Sequence, residues 1–373
     1  MKIENLRIAI YIPELTRATG GAEIYGLLMA ESLEVNNEVS IIAFKPKKND
    51  FNLENIFLKY GVQKFHTIFV DYFNLKHTIG TQVRHKMNKV LGNYDLFINC
   101  SHGRLKGLKN VFSVHLIHFP SKRYAGFLSG FKNKQYIDSY QGFICNSEYT
   151  RKYLKEYWNV DGVVVYPPIA MEPLKAETLV KKEKLILAVD RLVSDKKILE
   201  MISAFKELNK NYPNDFRFVI IGNKDNKELE YYQKIVEASK GGRIEIYHDL
   251  KKSELVEWYK KAAIFWHAKG YGEELDPEMA EHFGMTTAEA MANGCVPVVI
   301  NKAGQKEIVD HGKDGYRWDT LNELVEYTRI LMSDNAKLNQ FQLSSIDSSK
   351  KFLLDQFSNN LNIALESLMS GKR

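Results

Sequence analysis

Residues 184–222 read KLILAVDRLVSDKKILEMISAFKELNKNYPNDFRFVIIG. KLILAVD (184–190) and FRFVIIG (216–222) are near-continuous apolar runs, the pattern of strands covered on both faces of a parallel sheet. ILEMISAFKELNKN between them is a helix. Strand, helix, strand is the unit of a doubly wound α/β sheet, and it recurs in both directions from here. Downstream, strands are expected at 243–248, 263–268 and 296–301, with helices in ELEYYQKIVEASK, KSELVEWYKKA and MTTAEAMAN. Upstream, strands are expected at 7–12, 39–44, 67–70, 96–100, 111–118, 142–146 and 163–166, with AEIYGLLMAESLE as the first helix. Paired prolines at 167–168 and the charged stretch behind them mark a linker. The expected architecture is α/β, with two Rossmann-like doubly wound domains facing across a cleft. They span 1–168 and 169–345, and a helical tail, 346–373, packs back toward the first. A ligand belongs in such a crevice, at the carboxyl ends of the strands.

Composition narrows the function. A chain of 373 residues with 45% hydrophobic and 26% charged residues builds two cores and is neither disordered nor collagenous. No apolar run approaches the roughly 20 residues that span a bilayer. The opening MKIENLRIAIYIPELT reads as a strand rather than a signal peptide. Cys100, Cys145 and Cys295 have neither metal-ligand nor redox spacing, which excludes a disulfide scaffold and a zinc site of the usual kind and makes the cytoplasm the expected compartment. The net charge of +6 is uneven: residues 51–137 hold 13 basic against 3 acidic residues, so the first domain expects an anionic partner.

Four stretches carry candidate chemistry. In TGGAE (19–23), Gly20 and Gly21 let the backbone approach a ligand at the start of a helix whose N–H groups favour an anion, although such a pair also serves a plain tight turn. In EHFGMTTAEAMANG (281–294), Gly284 opens a helix, so the N–H groups of Phe283, Gly284 and Met285 point at a phosphate, with Thr286 in the first turn. Glu281 in the preceding loop and Glu289 on the helix are carboxylates suited to sugar hydroxyls. In VDRLVSDKK (189–197), Arg191 and Lys196 form a diphosphate clamp; as loop cations they should add little to stability. In HLIHFP (115–120), His118 ends a strand and faces the same crevice. Gly222 ends another strand and admits a base edge. No Asp-x-Asp, Walker loop, GxSxG or HExxH occurs, so no obligatory metal and no cofactor is expected.

The combination resembles the family 4 retaining nucleotide-sugar glycosyltransferases of the GT-B fold, most specifically in Glu281-x7-Glu289 followed by AMANGCVPVV. The Gly20-Gly21 loop, the Arg191/Lys196 pair and NSEYTRKYL (146–154) agree in order and spacing. IHFP and AEHFG further resemble the mannosyltransferases that extend lipid-linked oligosaccharides. The resemblance implies that Gly20 and Gly21 approach the donor diphosphate, that Arg191 and Lys196 hold it, that Glu289 takes the ribose, and that Glu281 and His118 attend the transferred sugar. It implies a retaining transfer of a hexose, mannose or glucose favoured, from a nucleotide diphosphate sugar to a glycan, glycolipid or lipid-linked acceptor. The basic first-domain segment, with Phe65, Phe69, Tyr72, Phe73, Phe127 and Phe131, then suits peripheral contact with an anionic membrane. Two departures stand out: Asp190 where a glycine usually precedes the arginine, and AGQKE (303–307) in place of a GG-x-x-E loop. A sugar-nucleotide epimerase of similar fold is the alternative enzyme, and a non-catalytic anion-binding protein the alternative class. The aromatic and zinc signatures of a nucleic-acid binder are missing.

Overall fold

The computed structural model describes all residues except 1, 17–19, 47–53, 55, 58–62, 64, 71–86, 103–104, 123–129, 170, 176–181, 213–214 and 372–373. It divides into two units, Met1–Ala170 with Leu354–Arg373, and Met171–Leu353.

Unit 1 holds a parallel sheet of β1 (Arg7–Tyr11), β2 (Glu38–Phe44), β3 (His66–Val70), β4 (Leu96–Asn99), β5 (Phe112–Ile117), β6 (Gly142–Cys145) and β7 (Val163–Val164), in the order β3-β2-β1-β4-β5-β6-β7. Helices α1 (Gly21–Glu34), α2 (Gly130–Ile137) and α3 (Glu148–Trp158) follow β1, β5 and β6. The last two lie in stretches to which the sequence reading assigned no helix. Ser147 caps α3 by accepting from the Thr150 backbone N–H. Phe65 departs from the expected surface role: it is buried in the core, edge-on to Phe57 at 5.9 Å, because it lies one residue before β3. Phe69 is exposed, while Tyr72, Phe73, Phe127 and the side chain of Phe131 lie outside the described residues.

Unit 2 holds a second parallel sheet, β8 (Glu183–Val189), β9 (Arg217–Ile221), β10 (Ile244–Tyr247), β11 (Ala262–His267), β12 (Val296–Ile300) and β13 (Tyr316–Trp318), in the order β10-β9-β8-β11-β12-β13. Its helices are α4 (Ile198–Asn211), α5 (Leu229–Ala238), α6 (Lys252–Lys261), α7 (Met285–Ala292), α8 (Gln305–Ile308), α9 (Leu321–Ser333) and α10 (Asn335–Ser349). Helix α4 buries Ile198, Met201, Ile202, Phe205 and Leu208, spaced three or four apart, against this sheet. β11 is buried at every position, and Trp266 within it donates its indole N–H to Thr328 on α9 at 2.9 Å. Lys182 reaches the last carbonyls of two helices at once, Tyr259 O at 3.1 Å and Asn293 O, so one ammonium caps α6 and α7.

The final helix, α11 (Leu354–Met369), belongs to unit 1. Phe357, Leu361, Ala364 and Leu365 join the core built by β1 and α1, and the Phe357 ring stands 5.6 Å from that of Tyr25. The unit boundaries therefore fall at 170/171 and 353/354, against the expected 168/169 and 345/346. The second shift arises because α10 runs on to Ser349, with Phe341 and Leu338 in the core of unit 2.

Both sheets reverse strand order once, between β1 and β4 and between β8 and β11. In an open parallel sheet the crevice at that reversal, beyond the strands' carboxyl ends, is where ligands bind.

Candidate active site

In unit 2 the residues beyond β8 and β11 form one ion cluster. β8 ends at Val189, and Asp190 and Arg191 follow. A single 3-10 turn, Ser194–Lys196, brings Lys196 back over the strand end. Its Nζ donates to Asp190 Oδ1 at 2.6 Å and to Glu281 Oε2 at 2.7 Å. His267, the last residue of β11, lies beneath with Nε2 3.5 Å from Asp190 Oδ2 and 3.4 Å from Glu281 Oε2. The neighbouring cations Lys196 and Lys269 hold the Glu281 carboxyl well below the usual carboxylate range, against the opposing effect of its burial. Lys196 is only 7% exposed. This corrects the expectation that as a loop cation it adds little to stability: its ammonium bridges two largely buried carboxylates. Arg191, one residue from Asp190, is exposed.

Gly284 is the N-cap of α7 with φ 118°, a left-handed conformation that glycine adopts freely. The first N–H groups of α7, at Met285 and Thr286, have no partners within their own helix, so this end presents positive potential. Phe283 is buried and packs edge-on against Phe352 at 5.3 Å. The loop carrying Gly304 presses against this turn: a Cβ on Gly304 would sit 2.3 Å from Phe283 Cα, and its N–H donates to Glu281 O at 3.0 Å. Ala303 beside it has φ 47°, a conformation that costs an L-residue energy.

Glu289 stands just over one turn along α7. It accepts from the Tyr259 hydroxyl at 3.1 Å, and burial pushes its carboxyl up to about 7, the Tyr259 hydrogen bond and Lys252 opposing. Gly222 sits where no other residue fits, since a Cβ there would lie 1.6 Å from the Asp190 carbonyl oxygen. The glycine thus permits the close approach of the ends of β8 and β9.

In unit 1, Gly20 is the N-cap of α1 and its N–H donates to Glu23 at 2.8 Å; Gly21 begins the helix. His118 follows β5, is 9% exposed, and donates from Nε2 to the Cys100 carbonyl at 3.2 Å. Its ring faces His102 at 4.8 Å and Tyr25 at 6.3 Å, and its carbonyl accepts from Thr150 on α3. Nearby, buried His115 bonds Tyr136 and the Ser101 carbonyl, and burial lowers it to about 4.

Thus Arg191, Lys196 and Glu281 gather at the strand reversal of unit 2 with the start of α7 in the same domain, Glu289 has a hydroxyl partner of its own, and Gly20, Gly21 and His118 belong to unit 1. Sequence reasoning did not single out His267, Lys269 or Gln305. The signal for His267 was a polar residue closing an otherwise apolar strand, AAIFWH. Buried polar atoms without a hydrogen-bond partner among the described residues are Asp195 Oδ1, His267 Nδ1, Thr287 Oγ1, both amide atoms of Gln305 and Arg317 Nε. Buried polar groups are rarely left so.

Residues 172–344 match the family "Glycosyl transferases group 1". The GDP-Man:Man(3)GlcNAc(2)-PP-Dol alpha-1,2-mannosyltransferase of Dictyostelium discoideum is 24% identical over 57% of this chain and 45% of its own. The alpha-monoglucosyldiacylglycerol synthase of Acholeplasma laidlawii is 26% identical over 43% of this chain and 38% of its own. The chain spans less than half the length of the curated relatives it matches. Among solved structures, a glycosyltransferase from Rickettsia africae aligns with a TM-score of 0.71 over 99% of this chain and 100% of that one, at 16% identity. Anabaena HepE in complex with UDP and glucose aligns with 0.72 over 97% and 100%, at 14% identity.

Residues 172–344 are therefore a group 1 glycosyl transferase domain. The two parallel α/β sheets are those of the GT-B glycosyltransferases, as the resemblance in Glu281-x7-Glu289 implied.

Proposed function

We propose that this protein is a retaining glycosyltransferase that moves a hexose, mannose or glucose, from a nucleotide diphosphate sugar to a glycan, glycolipid or lipid-linked acceptor. One observation carries the reading: within a group 1 domain, a buried lysine and two carboxylates converge beyond β8 and β11, at the strand reversal where such sheets bind ligands. The names of these relatives, a mannosyltransferase and a monoglucosyldiacylglycerol synthase, support the choice of sugars and of a lipid-bearing acceptor.

In this reading, breaking the anomeric C–O bond leaves negative charge on the diphosphate and positive charge on the sugar. Arg191, Lys196 and the first N–H groups of α7 stabilise the diphosphate; comparable preorganised donors are worth about 2.7–4 kcal/mol each. Glu281 accepts from hydroxyls of the transferred sugar and Glu289 from the ribose. Gly20 and Gly21 admit the diphosphate to the backbone of unit 1, and His118 orients the sugar. The acceptor hydroxyl attacks from the face the diphosphate leaves, its proton passing to the departing phosphate oxygen, so configuration is retained.

Among the described residues no helix is long and apolar enough to cross a membrane. Peripheral contact at the cytoplasmic membrane face is part of the proposal, through the basic segment 51–137 and exposed Phe69. Each lysine or arginine at an anionic surface contributes about 1 kcal/mol. Liposome co-sedimentation at low salt should favour anionic over neutral vesicles; equal binding rejects the membrane part.

Thermal-shift screening against UDP-, GDP- and ADP-sugars tests the donor reading, because a ligand that binds only the folded state raises the melting point. One nucleotide series should shift it, and transfer to a lipid-linked glycan with that donor should give the α product from an α donor. Absence of a shift with all three series overturns the proposal. Turnover of the donor without acceptor into an epimeric nucleotide sugar selects the epimerase instead.

A further inference from the structure

In the ion cluster beyond β8, Lys196 faces two carboxylates. Two of the three N–H bonds of Lys196 already end on carboxylates of the protein, Asp190 at 2.6 Å and Glu281 at 2.7 Å. All three side chains are largely withdrawn from water, with Lys196 9%, Asp190 12% and Glu281 20% exposed, so these interactions are poorly screened. Lys269, the next lysine, is itself engaged by Asp195 at 3.3 Å. A diphosphate reaching Lys196 thus meets a cation whose charge is shared twice before it arrives.

The backbone that carries Asp190 is fixed at the strand end. Its N–H donates to Ile221 O at 3.0 Å, and its carbonyl lies so close to Gly222 that a Cβ there would stand 1.6 Å away. The end of β8 therefore holds the Asp190 backbone in place, and its carboxylate is placed by Lys196 and His267. His267, 2% exposed and 3.5 Å from Asp190 Oδ2, closes the space beneath it.

We propose that Asp190 is a positioning residue that acts through Lys196: it competes with the diphosphate for the lysine ammonium, holds the lysine in place, and keeps the nucleoside diphosphate product weakly bound so that it leaves. The proposal rests on the donor reading above. It assigns Asp190 no contact with the reacting atoms.

The test is calorimetric titration of UDP, GDP and ADP into the full chain, wild type and Asp190→Asn. The amide keeps the shape and one acceptor oxygen and removes the charge. Asp190→Asn should bind its nucleoside diphosphate at least tenfold more tightly, with a matching fall in the product-inhibition constant. In a Lys196→Gln background the same change should alter affinity by less than threefold. Asp190→Ser provides the same comparison should the asparagine variant melt early. Equal or weaker binding by both Asp190 variants overturns the proposal while wild-type binding leaves the donor reading standing. A gain just as large in the Lys196→Gln background also overturns it, since Asp190 would then repel the anion directly. Binding of no nucleoside diphosphate by any form removes the donor reading and this role with it.

Discussion

Replacing Glu289 by glutamine should make the protein more stable, and only above pH 5. Burial raises this carboxyl from 4.5 to about 7, while in the unfolded chain it returns to its ordinary value. Between those values the folded state holds a proton that the unfolded state has released. Stability therefore falls as pH rises through this window, and above about pH 7 the folded protein carries the whole cost of a buried charge. A shift of that size corresponds to about 3 kcal/mol at pH 8 and to less than about 1 kcal/mol at pH 5. Glutamine keeps an acceptor oxygen toward the Tyr259 hydroxyl and has no proton to lose, so it avoids the cost. For a unit of this size each kcal/mol moves the melting point by about 2–4 °C. Calorimetric melts at pH 5 and pH 8 should show Glu289→Gln ahead of wild type by roughly 6–12 °C at the higher pH and by no more than about 3 °C at the lower. Parallel pH profiles for the two proteins would refute the reasoning. If Glu289 grips the ribose, the same variant should bind the donor more weakly at pH 8 while melting higher, an opposition that pure misfolding does not produce.

Lys196→Met should leave Asp190 and Glu281 without their shared cation and lower stability by about 3–5 kcal/mol, read from denaturant unfolding; a loss under 1 kcal/mol would mean that the lysine is solvated in solution. Ala303→Gly should stabilise unit 2 by about 0.5–1 kcal/mol, because relief of the left-handed φ of 47° exceeds the added freedom of the unfolded chain; a drop in melting point would contradict it. Ser147→Ala removes the N-cap of α3 and should cost about 1 kcal/mol. Because α3 also holds the His118 carbonyl through Thr150, faster amide exchange at the end of β5 is the accompanying sign.

The sheet positions were legible because buried parallel strands are largely apolar, and even the half-buried β3 and β10, with Glu245 in the latter, lie in runs rich in β-branched residues. β13 escaped because it has three residues and carries Arg317 in its middle. Helix α4 was readable to the residue from its apolar spacing, whereas α3 interleaves Lys, Arg and Glu with its tyrosines and buries only Thr150, Leu154 and Trp158. At the site, the kinds of residue were legible and their partners were not. Lys196 and Glu281 lie 85 positions apart, and only the fold brings them within 2.7 Å. Asp190 beside Arg191 reads as a surface turn until the strand end is seen to bury it. The position of Phe65 depended on where a strand starts, and a shift of one residue exchanges the core face for the solvent face.

Helix α11 gives the two units different histories on the ribosome. Unit 2 is a single stretch of chain, complete once Leu353 has emerged. Unit 1 was begun far earlier, yet the hydrophobic surface around Tyr25 and Leu28 stays uncovered until Phe357, Leu361 and Leu365 arrive. The portion translated first is thus the last to close. Throughout synthesis of the intervening 183 residues from Met171 to Leu353, that flank lacks the side chains that cover it in the finished fold.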